Sequence, residues 1–190
     1  YDPEEVVSLE FGFKGSLGEN SSLNASLFRY DYTDFQVLQV VGLQTVTRNA
    51  GDATVNGLEI EAFSNVSDSL TLNYGITLLD ATYGEFLNTN GIEPQLGEQQ
   101  LEGNYLTNAP KVSINLGLNY TSAMASGASL TYRANAAYKS RIYFSEFNEY
   151  SQDAYTILDL NLIWESADET MRSRFFIKNA SDEDYVSGYL

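Results

Sequence analysis

The chain has 190 residues, 26 acidic against 10 basic side chains, a net charge of −16, and neither cysteine nor histidine. Without imidazole or thiol groups it has no Ser-His or Cys-His nucleophile, no disulfide and none of the usual nitrogen or sulfur metal sites. Its acidity excludes a nucleic-acid partner, which needs a basic surface.

The predicted elements are strands. VVSLEFGFK, within Glu5 to Lys14, alternates with Val7, Leu9, Phe11 and Phe13 on one face. A period of two is the signature of a strand with unlike faces. A second strand runs from Ser22 past Tyr32, a third from Val46 to Phe63, and a fourth from Leu70 to Tyr83. The fifth, VSINLGLNYT (112–121), has the clearest pattern: Val112, Ile114, Leu116, Leu118 and Tyr120 alternate with Ser113, Asn115, Gly117 and Asn119. Further strands are expected over 128–144, 154–164 and 171–179. No apolar run reaches the roughly 20 residues of a membrane helix.

Connections alternate in length. Short turns are expected at 15–20, 64–69, 121–128 and 165–170, and longer links near 36–45, 84–109 and 145–153. Tight turns on one rim and long loops on the other are the habit of transmembrane barrels. Strand length agrees: about ten residues at roughly 3.3 Å each, tilted by about 45°, span close to the apolar band of about 25 Å. Soluble strands average about 5–6 residues. We therefore expect an all-β chain of about eight long antiparallel transmembrane β-barrel strands. The apolar row of the fifth strand then faces lipid and its polar row the lumen. Phe28, Tyr30, Tyr32 and Phe35, and likewise Tyr138, Tyr143, Phe144 and Phe147, are expected to form interfacial aromatic girdles.

Three stretches carry a family resemblance. YDPEEVVSLEFGFKG (1–15) resembles a Pro-Glu…Glu-x-Gly-x-Lys stretch in the barrel of TonB-dependent outer-membrane receptors. RNAGDATVNGLEIEA (48–62) resembles that family's Asn-Ala-Gly…Gly-(Val/Leu)-Glu-(Ile/Leu)-Glu strand, and FIKNASDEDY (176–185) its Lys-Asn-Leu-Thr-Asp-x-x-Tyr stretch. Ala180-Ser181 replaces the family's Leu-Thr, and the chain stops at VSGYL (186–190) without the usual terminal aromatic strand. The resemblance implies the C-terminal portion of a barrel of about 22 strands, roughly strands 14 to 21. The plug, the energy-coupling segment and the final strand would lie outside these residues, which are not expected to transport alone.

It implies, further, an active-transport receptor in the outer membrane of a Gram-negative bacterium, energised by the TonB complex. Its cargo would be a scarce, bulky nutrient such as an iron-siderophore, cobalamin or an oligosaccharide, with outer-membrane lipid around the wall. No cofactor and no enzymatic activity are expected. Candidate ligand contacts are neutral or aromatic groups of the long loop, Asn88, Asn90, Gln99 and Tyr105, with Arg133 and Arg141 as cations of the wall. The loop 84–109 has no cation of its own, which favours a neutral or cationic ligand or capture elsewhere. Arg29 and Lys139 are further wall cations that could pair with Glu59 and Glu61 or grip a plug. The glycines Gly42, Gly91, Gly97 and Gly103 leave the long links freedom to move. The acidic run 180–185 lacks the spacing of a calcium loop and reads as a solvated turn. Two other readings remain: a self-contained eight-stranded barrel serving as adhesin or anchor, and a soluble carbohydrate-binding sandwich.

Overall fold

A computed structural model describes residues 2–41, 44–49 and 51–188; Gly42 and the last two residues of VSGYL lie outside these. The strands are β1 (Glu5–Ser16), β2 (Ser21–Thr33), β3 (Gln36–Val41), β4 (Gln44–Asn49), β5 (Ala53–Asn65), β6 (Leu70–Tyr83) and β7 (Leu87–Thr89). They continue as β8 (Glu98–Gln100), β9 (Val112–Ala123), β10 (Ser129–Lys139), β11 (Ile142–Tyr143), β12 (Ser151–Gln152), β13 (Tyr155–Glu165) and β14 (Arg172–Ile177). Eight of them form one antiparallel sheet in the order β1-β2-β5-β6-β9-β10-β13-β14. Among the described residues β1 and β14 are its two free edges, so the wall is open rather than an eight-stranded closed barrel. Among the described residues the other sheets have only two strands each and none covers it as the second layer of a sandwich would, which removes the sandwich reading.

Register assembles the alternation of each strand into two continuous faces, because directly opposed residues in an antiparallel pair point the same way. Phe11 opposes Leu27, Leu27 opposes Leu58, and Leu58 opposes Leu78. Leu78 opposes Val112; two rungs along, Ile76 opposes Ile114, which opposes Tyr138. Ala134 then links Leu118 to Leu160, and Leu160 opposes Ile177. The result is an apolar band crossing all eight strands. It is exposed: Leu9 and Phe11 are 73% and 79% accessible. At the short-turn end the band finishes with Tyr120, Tyr132 and Trp164, the first two rings 6.2 Å apart. At the long-loop end it gives way to Arg29, Asp31, Asn56 and Asp80.

Five expectations shift. Phe28, Tyr30 and Tyr32 lie on the polar face, opposite Gly57, Val55 and Ala53, and so form no girdle on the apolar one. The Phe28 ring lies over Gly57, where a Cβ would stand 2.1 Å from its Cζ. Arg29 is on the apolar-face phase, where it holds Asp31 at 2.6 Å, not among the polar-face cations. The third strand does not begin at Val46; residues 36–49 fold back as the hairpin β3–β4. Gly51, at φ +68°, separates that hairpin from β5, its α-carbon so close to the Glu85 carbonyl that a Cβ would clash at 1.9 Å. The sixth strand stops at Lys139, and Tyr143, Phe144 and Phe147 belong to the cap above it; the eighth ends at Ile177, before Asn179 turns at φ +49°.

Candidate functional site: the loop cap and the polar face

The long loops converge at one end of the sheet. Their centre is a small core of Tyr83, Phe86 and Leu101, with Phe35, Val37, Leu106 and Phe147 packed around it. These seven side chains are contributed by four separate segments, so the cap is a packed unit. The loop 84–111 is closed on itself by Leu101 N–H to the Phe86 carbonyl (2.8 Å) and tied back to the wall by Gly103 N–H to the Tyr83 carbonyl (3.0 Å) and Leu106 N–H to the Ala81 carbonyl (3.0 Å).

Polar side chains then fasten that loop to the segment 140–154. Asn88 and Asn90, each only 4% exposed, donate to the carboxylates of Glu146 (3.0 Å) and Glu149 (2.9 Å). Asn148 closes the join in both directions, accepting from Tyr105 N–H at 2.7 Å and donating to its carbonyl at 2.9 Å. The buried partners are the amides, whose polar atoms need such acceptors; Glu146 is half-buried and Glu149 exposed, so the bonds position these acids while leaving them open to water. Gln99 lies beside Asn88 across the β7–β8 hairpin, and its buried Nε2 has no hydrogen-bond partner.

The polar face separates its charges. Glu10, Glu59 and Glu61 stand with Lys14 and Asn24 around a concavity of about 360 Å³ on β1, β2 and β5. At the opposite edge Arg133, Arg172 and Arg174 gather with Asn135 and Asn161 around about 440 Å³. Arg174 donates twice to the Asn161 amide oxygen, at 2.8 and 2.6 Å. Arg172 reaches Glu165 only at 3.6 Å. The glutamates and arginines are therefore too far apart on the sheet to neutralise one another, and each group is presented to whatever fills the interior.

A third feature lies at the rim, between cap and wall. Tyr105, Lys111, Val112, Ser140, Arg141, Tyr143 and Asp153 border a cavity of about 730 Å³. Tyr105 and Tyr143 stack at 5.8 Å, and the Lys111 ammonium sits 4.0 Å from the Tyr105 ring centre. A hydrogen bond to the Tyr105 hydroxyl holds the Lys111 ammonium above the usual lysine range. Arg141 pairs with Asp153 at 2.6 Å, which likewise raises its guanidinium.

The six candidate contacts thus fall in three places. Asn88 and Asn90 lie inside the cap join with Gln99 next to them, Tyr105 and Arg141 share the rim cavity, and Arg133 stands on the polar face near the short turns. Sequence reasoning missed Glu146, Asn148 and Glu149, which accept and return the cap's hydrogen bonds, and Arg172 and Arg174, which complete the arginine group. The period of two in RSRFF, putting Arg172 and Arg174 on one face, was a usable signal for the latter. Nothing local in 145–153 names its partners 42 to 59 residues away.

Comparison with known proteins fits this geometry. The family model described as TonB dependent receptor-like, beta-barrel matches residues 1–180. The probable TonB-dependent siderophore receptor PiuA of Acinetobacter baumannii is 28% identical over 191 aligned positions, covering 98% of this chain and 24% of that protein. Among solved structures, the ferric yersiniabactin uptake receptor FyuA of Yersinia pestis superposes with a TM-score of 0.79 at 21% identity, over 98% of this chain and 26% of that one. The crystal structure of PiuA gives 0.76 at 24% identity, over 97% and 25%. The chain thus spans about a quarter of the length of the relatives it matches. With a model match over almost its entire length, the chain belongs to the TonB-dependent receptor β-barrel family, whose members are transport receptors and not enzymes.

Proposed function

We propose that these residues are a wall segment and part of the cap of a longer outer-membrane receptor that imports a ferric siderophore, energised through TonB. The observation that carries this reading is the two-faced wall. An exposed apolar band crosses all eight strands with polar groups above and aromatic rings below. Such a surface is stable only against lipid, because in water it would aggregate. The charged opposite face then lines the lumen, and the cap covers its outer mouth. The choice of cargo follows the relative PiuA, itself described as a probable siderophore receptor.

Within this reading Asn88 and Asn90 act on the ligand indirectly, by holding the cap to the neighbouring loop, and the unpartnered Gln99 amide is a direct contact. Arg133, with Arg172 and Arg174, offers guanidinium forks to carboxylate groups in the lower lumen, whether of a plug or of a passing chelate. The test is iron uptake in the source bacterium. Deleting the full-length gene should abolish uptake of labelled iron from one siderophore, and deleting TonB should do the same. Unchanged iron uptake, with loss of cobalamin or oligosaccharide import instead, would reassign the cargo; normal import of all three would remove the transport reading.

A further inference from the structure

We infer that the rim cavity of Tyr105, Lys111, Ser140, Arg141 and Tyr143 binds the phosphorylated headgroup of a glycolipid in the leaflet that surrounds the receptor. The inference rests on the membrane placement proposed above and adds to it a specific lipid site.

Register puts the cavity on the apolar-band side of the wall. Tyr105 is bridged to Thr82, which shares a face with Asp80 and Leu78. Val112 opposes Leu78 within the band itself. Ser140 follows Tyr138 by two residues, and Tyr138 opposes Ile114 in the band. The cavity therefore opens outward, immediately beyond the last apolar row. A lipid whose chains lie on Val112, Ile114 and Tyr138 would have its headgroup at this level.

The chemistry fits a phosphosugar. Lys111 spends one donor on the Tyr105 hydroxyl and keeps two. Arg141 gives two of its five donors to Asp153 and one to the Tyr143 side chain, which leaves two. The stacked tyrosines add flat, half-apolar surface of the kind that receives a sugar ring. Asp80 and Asp153 also face these cations, so the local charge is balanced. A balanced site does not concentrate a free anion by its field. It holds a phosphate only where other contacts already bring it in, and the adjoining apolar band supplies those for a lipid. A volume of about 730 Å³ is ample for such a headgroup.

The experiment uses the full-length receptor purified from outer membranes in mild detergent, with co-purifying phosphorylated glycolipid quantified per mole of protein. K111Q/R141Q should weaken retention roughly tenfold or more, since each charge-assisted hydrogen bond contributes on that order. K111R/R141K, which keeps both charges, should retain most of the lipid. R48Q removes an exposed cation that does not border the cavity and should retain all of it. In a second arm, phosphatidylcholine vesicles carrying the phosphorylated or the dephosphorylated glycolipid should show preference for the former, and inorganic phosphate should fail to compete. Equal retention by K111Q/R141Q in a correctly assembled, heat-modifiable receptor overturns the lipid site while leaving transport untouched. Competition by inorganic phosphate at its headgroup concentration overturns it in favour of a free-anion site. A receptor absent from the outer membrane would end both readings.

Discussion

In the wall, Leu9 and Phe11 are 73% and 79% exposed, while in the cap Phe86 and Leu101 are 5% and 2% exposed. Both regions are rich in large apolar side chains, yet only the cap uses them as a soluble protein does. The wall is held by its backbone ladders, eight strands joined in seven antiparallel pairs, and leaves its apolar atoms for lipid. The cap has only short hairpins, so it depends on a small aromatic core and on Asn–Glu hydrogen bonds between loops. One chain therefore contains two solvents' worth of folding rules, divided at the row where Leu78 gives way to Asp80.

The comparison breaks most sharply in the cap core. Phe86→Ala should destabilise the cap by about 3–5 kcal/mol, the usual cost of emptying an aromatic site. Amide exchange should then accelerate at Leu101 and Asn104, whose N–H groups close the loop, and stay slow in β9 and β10. Equal acceleration in the wall would show cap and wall to be one cooperative unit. Next, Leu116→Arg in mid-band should cost about 2–4 kcal/mol in a bilayer. Asn115→Arg, one residue away on the lumen phase, should stay within about 0.5 kcal/mol. Urea unfolding from lipid vesicles measures both, and equal costs would contradict the assignment of faces.

Asn88→Ala and Asn90→Ala should each cost about 0.5–1.5 kcal/mol, because each removes a hydrogen bond between a buried amide and a carboxylate that water can still reach. Replacing Asn88 and Glu146 together should cost less than the sum of the two single changes, which a double-mutant cycle reads directly. The smallest effect is expected at the other rim. The Ser166 and Thr170 hydroxyls hold the Asp168 carboxyl below its ordinary value of 3.8. A depressed folded-state value stabilises the turn fully above that ordinary value and is lost as pH falls through and below it. Exchange at the Thr170 and Met171 amides should therefore quicken on acidification below about pH 4 beyond its intrinsic trend, and Asp168→Asn should remove that pH dependence.

The amino-acid sequence by itself determined the wall. A strand repeats every two residues whatever surrounds it, so VSINLGLNYT could only present Leu116 and Asn115 to opposite sides, and the eight long strands with alternating short and long links followed directly. It was ambiguous where both phases are apolar or aromatic. In β2, Leu27 and Phe28 are neighbours of nearly equal hydrophobicity, and only pairing with β5 decided the matter: Leu27 meets Leu58, and Phe28 meets Gly57, whose missing Cβ leaves room for its ring. The cap was the least legible part. Asn88 and Asn90 read as free ligand contacts because an amide in a polar loop looks the same whether or not it has a partner. Their acceptors, Glu146 and Glu149, lie 58 and 59 residues on. Local periodicity carries no information over that distance, and only the closing of the two loops against Phe86 and Leu101 brings those groups together and shields the two amides from water.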